Sequence, residues 1–165
     1  MTGPGPLFAY HAVPLPLDPA ETLARLLADP AMLTTATADA IGRCGPRFAD
    51  WGLPMHLLPT VETVAAGDQE PGQLRLRWSG PEDVTGWPSL TAWLVVSPRA
   101  AGSRITFVST RSPATGLGAT SVHRGHAQRL LAVAVQAFLQ ALAGHLVTAA
   151  DSPATAIREL SGATR

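Results

Sequence analysis

The sequence predicts an α+β domain: a curved antiparallel sheet wrapped around one long C-terminal helix, with one or two short helices after the first strand. Three observations lead there. The run Gln73-Leu74-Arg75-Leu76-Arg77-Trp78 alternates polar and apolar residues, as a half-exposed antiparallel strand does. β-rich runs follow it, separated by Gly- and Pro-containing gaps of hairpin length. A last amphipathic stretch, about Thr120 to Val147, is the only element long enough to cover the apolar face of such a sheet.

Taken in order, Leu7 to Val13 reads as a strand that Pro14 and Pro16 end. Asp18 then caps a helix, with Pro19 at its first position and Glu21 three residues after the cap, a capping-box arrangement. That helix shows Leu23, Leu26 and Leu27 and stops before Pro30. The Ala/Thr-rich stretch from Ala31 to Asp50 contains one more short helix. Leu57 to Ala65, Gln73 to Trp78, Ser89 to Val96 and Arg104 to Thr110 are the remaining strands. Gly67 to Gly72, Gly80 to Pro88 and Pro98 to Gly102 connect them as hairpins, so neighbours in sequence pair antiparallel. In the final helix Arg124, Gln128, Ala132, Gln136, Gln140 and Gly144 form one stripe, and Leu131, Val135, Phe138, Leu142 and Leu146 the opposite side. That is the pattern of a helix buried on one side, although Leu130 to Ala150 carries no formal charge and is long enough to span a bilayer. No membrane span is therefore expected.

The 165 residues fit one domain, with a core from about residue 7 to 147 and tails at 1–6 and 148–165. Twelve basic and twelve acidic residues balance, which argues against a general nucleic-acid binder. All the basic residues are Arg, which together with abundant Ala, Gly and Pro reads as genomic composition. The single cysteine, Cys44, cannot form an internal disulfide, and the opening residues resemble no signal peptide. A cytoplasmic location is the expectation.

The order of elements, with Leu7-Phe8-Ala9-Tyr10, Asp18-Pro19-Ala20-Glu21-Thr22-Leu23 and Leu27-Ala28-Asp29-Pro30, resembles the START-like or SRPBCC superfamily, also called helix-grip. Members often open with a strand and then a helix reading roughly P-x-x-V-W-x-L-x-x-D-P. Here Leu23 stands where Val is common and Ala24 where the aromatic often sits, and Asp29-Pro30 closes the helix as in the family. The resemblance spans Leu7 to Val147 and carries no invariant catalytic signature. It implies an apolar cavity between sheet and long helix, and a hydrophobic ligand such as a polyketide-like metabolite. It also implies the activities hosted on this fold: cyclisation, aromatisation or dehydration without a redox cofactor, carriage of an unchanged ligand, or protein interaction with a closed core.

Alternation assigns the lining: Leu74, Leu76 and Trp78 in one row, Ile105, Phe107, Ser109 and Arg111 in a second, Phe8 and Tyr10 on the first strand, and Ala134, Phe138 and Leu142 from the helix. Periodicity reports the inward face and not whether it is hollow, so the same residues serve equally to fill a core. Trp51, Trp87 and Trp93 belong to core or rim, with Trp93 taken as a ligand contact. In cyclase-type relatives an inward Arg and Tyr hold a polyketone, and Arg111 and Tyr10 are the residues here that fit those roles; the alternatives are an Arg111 beyond the sheet or paired to a carboxylate, and a Tyr10 merely packed. His123 and His126 share a face at the start of the long helix, where His123 could act as a general base or be solvated. A third metal ligand at recognisable spacing is lacking, so no metal is assigned, and no cofactor is expected. Gly116-Leu117-Gly118-Ala119-Thr120-Ser121 lacks the Lys-Ser/Thr of a P-loop and reads as a loop gating the cavity. Glu82 and Asp83 sit in a hairpin turn, and Cys44 reads as a half-buried structural thiol. A homodimer is compatible with all of this.

Overall fold

The computed structural model describes residues 8–50, 60–63, 72–79, 90–109 and 121–150, and within these the side chains of all but 45–50, 60–63, 78, 79, 90, 121–127, 130 and 150. The chain runs β1 (Tyr10–Leu15), α1 (Pro19–Ala28), α2 (Ala31–Asp50), β2 (Thr60–Thr63), β3 (Gln73–Ser79), β4 (Leu90–Arg99), β5 (Gly102–Ser109) and α3 (Ser121–Ala150). The five strands form one antiparallel sheet in the order β1-β5-β4-β3-β2. This is the α+β architecture the sequence predicts, with a C-terminal helix packed against an antiparallel sheet.

β1 differs from expectation in its length and its phase. It continues through Pro14 to Leu15 because it is an edge strand, where a residue without an N–H costs no ladder bond on the open side. The same reasoning covers Pro98, which pairs with Ser103 inside β4 beyond the point where β3 ends, Gln73 pairing with Val95. The β4–β5 connection is accordingly only Ala100 and Ala101. No non-glycine residue there has positive φ, so Gly102, at φ 98°, supplies the left-handed turn that brings the chain back.

In α1 Asp18 accepts a hydrogen bond from the Ala20 N–H at 2.8 Å, as an N-cap should. Glu21 does not complete a reciprocal box in the described bonds; its carboxylate pairs with Arg25 one turn on. The buried residues of α1 are Thr22 and Leu26, whereas Leu27 is exposed. Thr22 Oγ1 lies 3.0 Å from Ser103 Oγ, and the Arg25 guanidinium donates to the Leu146 carbonyl at 2.9 Å. One short helix thereby ties the sheet to the far end of α3.

The largest departure is α2, a single 20-residue helix over the whole stretch expected to hold a short one. Met32, Leu33, Ala36, Thr37, Ala40, Ile41 and Cys44 are buried at helical spacing. Small side chains hide this stripe from hydropathy, yet they let α2 come close to α3, where the Cys44 thiol reaches the Val133 carbonyl at 3.9 Å. Cys44 is buried outright rather than half-buried. His145 and Asp39 join the same two helices at their surface, 2.7 Å apart.

α3 behaves as its stripes predict. Leu131, Val135, Phe138, Leu142 and Leu146 are all buried, while Gln136, Gln140 and Gly144 face outward. Leu131–Ala149 is long and apolar enough to cross a membrane by length and composition, but half of it is buried against the rest of the domain and it is not a clear span. At Gly144 an added Cβ would meet nothing within 4 Å. Gly144→Ala should therefore stabilise the protein by about 0.5–1 kcal/mol through helix propensity alone, read as a higher urea midpoint at unchanged m.

Candidate functional site

The register sorts the sheet into two faces. Ala9, His11, Val13 and Leu15 of β1 and its lead share the inner face with Ser103, Ile105, Phe107 and Ser109 of β5, Ala92, Leu94 and Val96 of β4, and Leu74 and Leu76 of β3. α3 covers this face: Phe138 meets Phe107 edge-on, with ring centroids 6.3 Å apart at 76°. Both rings are 0% exposed, as are Leu94, Ile105 and Leu142.

Side-chain size changes along this interior. Near the β4–β5 turn Leu15, Val96, Ile105, Phe107 and Leu142 are buried, together with the small Ser103. Toward the opposite end Ala9, Ala92, Ser109 and, one turn before Phe138, Ala134 are small, beside the bulky Leu76 that pairs with Ala92. Ser109 is held there by the backbone of Ala9: its N–H donates to the Ala9 carbonyl at 2.9 Å, and its hydroxyl accepts from the Ala9 N–H at 2.7 Å. The Gln128 amide clamps the preceding residue, donating to the Phe8 carbonyl and accepting from the Phe8 N–H. The N-terminal half of α3 is thus tied to the small-residue end. β3 ends at Ser79, β4 begins at Leu90 and β5 ends at Ser109 on this side of the sheet.

Leu74, Leu76, Phe107, Ser109, Ala134, Phe138 and Leu142 therefore all lie inside, buried between sheet and helix. Phe8 and Tyr10 do not. The strand's phase puts His11, Val13 and Leu15 opposite Phe107, Ile105 and Ser103, which leaves Phe8 and Tyr10 on the other side, 42% and 57% exposed. Trp93 is also an outer-face residue, between inward Ala92 and Leu94, and the Arg75 guanidinium sits over its ring at 5.7 Å. Arg111, Trp51, Trp87, Glu82, Asp83 and the 116–120 loop lie outside the described residues. Trp78 and His123 are placed only by backbone, Trp78 opposite Leu90 and Val61, and His123 with His126 in the first turns of α3.

A shallow recess of about 100 Å³ opens between β1 and α3, lined by His11, Ala12, Val13, Gln136, Leu139 and Gln140. Its imidazole and two amides offer hydrogen bonds beside an apolar floor. The reading of β1 with Tyr10 inward missed His11; the signal was the opposite phase, which brings Val13 and Leu15 inside together. At about 100 Å³ the recess is well below the roughly 300–1,000 Å³ of a pocket that encloses a drug-sized ligand. Among the described residues, the buried polar side chains of this inner face are the hydroxyls of Ser103 and Ser109, with the half-buried His11 imidazole at its edge, two residues from Ala9.

Fold and interior together define a mixed α+β domain whose sheet holds its C-terminal helix over an apolar face. No protein-family model matches the chain, and no curated protein matches it. A solved structure, that of TTHA0849 from Thermus thermophilus, is similar at a TM-score of 0.49 and 17% identity, covering 87% of this chain and 97% of that one. Likeness at that level says nothing of what either protein does.

Proposed function

We propose that this protein binds a hydrophobic small molecule between the sheet and α3, at the end where Ala9, Ala92, Ser109 and Ala134 lie. The observation that carries this reading is that four buried positions toward this end, Ala9, Ala92, Ser109 and Ala134, have small side chains, with Leu76 the bulky residue beside Ala92. The START-like resemblance supplies the ligand class, a polyketide-like metabolite. Cyclisation or dehydration of such a ligand would fall to Arg111, two residues beyond Ser109, as a partner for enolate charge, and to His123 in the first turns of α3 as proton carrier. Tyr10, on the outer face, has no part in it. A second reading, a closed core that serves protein contact, is favoured by the complete burial of Phe107, Phe138 and Leu142.

Ala134→Leu separates the two. If the end is hollow, the added methyl groups fill it: the variant folds with wild-type stability or better, and uptake of a hydrophobic metabolite extract, followed by native mass spectrometry, falls at least about tenfold. If the end is packed, overpacking costs about 1–3 kcal/mol and neither protein takes up ligand. A released compound of altered ring count would identify an enzyme; one released unchanged, a carrier.

A further inference from the structure

β1 lies at an edge of the sheet, so every second residue along it turns its backbone N–H and carbonyl away from β5. The Ser109 N–H donates to the Ala9 carbonyl, which fixes the parity: Ala9, His11, Val13 and Leu15 bond toward β5, and Phe8, Tyr10, Ala12 and Pro14 point outward. These outward positions are not alike. At Phe8 the Gln128 carboxamide supplies both missing partners, its oxygen accepting from the N–H and its nitrogen donating to the carbonyl. Pro14 has no N–H to satisfy. Among the described residues, nothing bonds the outward N–H and carbonyl of Tyr10 or Ala12.

At Ala12 that unpaired edge borders a cavity. The recess of about 100 Å³ between β1 and α3 is lined by His11, Ala12, Val13, Gln136, Leu139 and Gln140. The Ala12 side chain is on the outer face with that of Tyr10, so Ala12 borders a recess on the α3 side through its backbone. On the α3 side, Gln136 and Gln140 continue the stripe that Gln128 begins. Unlike Gln128, neither makes a hydrogen bond among the described residues. The recess thus combines a backbone donor–acceptor pair, of the kind Gln128 satisfies at Phe8, with two unused carboxamides.

We propose that this recess binds a small molecule through an amide edge, a primary carboxamide or a lactam. Its oxygen accepts from the Ala12 N–H and its N–H donates to the Ala12 carbonyl, the bonds that Gln128 makes at Phe8. Gln136 and Gln140 reach its remaining polar atoms, and Val13 and Leu139 take its apolar part. A carboxylate fits less well, because it brings no donor for the carbonyl and no arginine lines the recess. An added β-strand, from a partner or a second copy, is disfavoured by the ends of the edge. Gln128 already occupies Phe8 and Pro14 offers no donor, which leaves only Tyr10 and Ala12, about 7 Å of edge, to pair with. The inference does not rest on the interior binding a ligand.

The test is an NMR titration of the isotope-labelled full chain with pyrrolidinone, whose N–H and carbonyl share one edge, and with N-methylpyrrolidinone, which lacks the donor. Pyrrolidinone is expected to move the Ala12 backbone amide and the Gln136 and Gln140 side-chain amides saturably at millimolar concentration, and the methylated lactam to bind at least about fivefold more weakly. Ala12→Pro removes an N–H that no ladder bond uses, and should weaken pyrrolidinone binding at least about fivefold. Gln136→Ala/Gln140→Ala should do the same; both positions are exposed on a helix, where alanine is well suited, so this readout stands even if the proline variant melts early. No saturable shift at Ala12 overturns the proposal, as it would if the chain itself fills the recess. Equal affinity for the two lactams, or binding indifferent to both variants, also overturns it. Shifts confined to Ala134 and Phe138 would report entry into the interior and overturn it too, so this site and the interior site fail separately.

Discussion

Phe138→Ala is expected to destabilise the protein by about 3–5 kcal/mol, a large share of what holds a typical domain together. The residue is 0% exposed and is the point where α3 presses on the centre of the sheet, edge-on to Phe107. Truncation removes the apolar area of a ring, leaves a cavity lined by residues that cannot collapse into it, and forfeits the aromatic pair. The measurement is urea unfolding at constant m, with Phe107→Ala and the double variant completing a cycle whose coupling should exceed about 0.5 kcal/mol. A cost below about 1 kcal/mol for the single variant would mean that the interior next to Phe138 already has room, and would move the proposed hollow along the helix from Ala134.

Gly102→Ala should be nearly as damaging, for a different reason. At φ 98° the position is one that L side chains rarely adopt, which costs on the order of 1–3 kcal/mol. The new Cβ would also overlap the Leu15 carbonyl oxygen and stand 3.0 Å from the Pro16 Cα, both backbone atoms that cannot swing aside. Relief requires parting the end of β1 from β5, where Leu15 pairs with Ser103. Hydrogen exchange at the amides of β1 should accelerate more than at β3 or β4, with a lowered thermal midpoint. A Gly102→Ala protein as stable as wild type would show that β1 does not close over this turn. The opposite sign at Gly144, where the same methyl group meets open space, makes the pair a control for each other.

Much of the architecture was legible in the residues. The alternation at Gln73 to Trp78 identified β3, and the Asp18-Pro19 start and Asp29-Pro30 stop bounded α1. The two stripes of α3 told its buried side from its exposed one. These signals are local: a cap, a breaker and a periodicity each act within one or two turns of chain. α2 was not legible at its full length, because Ala36 and Ala40 carry too little hydrophobicity to announce a core face and are buried only because α3 lies against them. Proline misled twice. Pro14 and Pro98 looked like strand ends, and only their position, on an edge strand and beyond the end of β3, makes them tolerable.

The phase of β1 had the largest consequence for function. Tyr10-Ala12-Pro14 and His11-Val13-Leu15 are both plausible inner rows when read along one strand. The choice is made by pairing with β5, since only one phase aligns Val13 and Leu15 with Ile105 and Ser103 on the face that α1 and α3 cover. That single choice takes Phe8 and Tyr10 out of the interior and brings His11 to its edge. It also assembles Tyr10 with Trp93 and Arg75 on the other face.

The amino-acid sequence by itself thus determined the class of fold, the buried side of the last helix and the absence of an internal disulfide, because each follows from short-range pattern or from counting. Tertiary structure decided the sidedness of β1, the length of α2, the company kept by Trp93 and the burial of Ala92 and Ala134 in the same interior as Phe107 and Phe138. Each of these depends on which residues far apart in sequence come to share a face, and strand periodicity fixes that only up to a one-residue shift, which exchanges inside for outside.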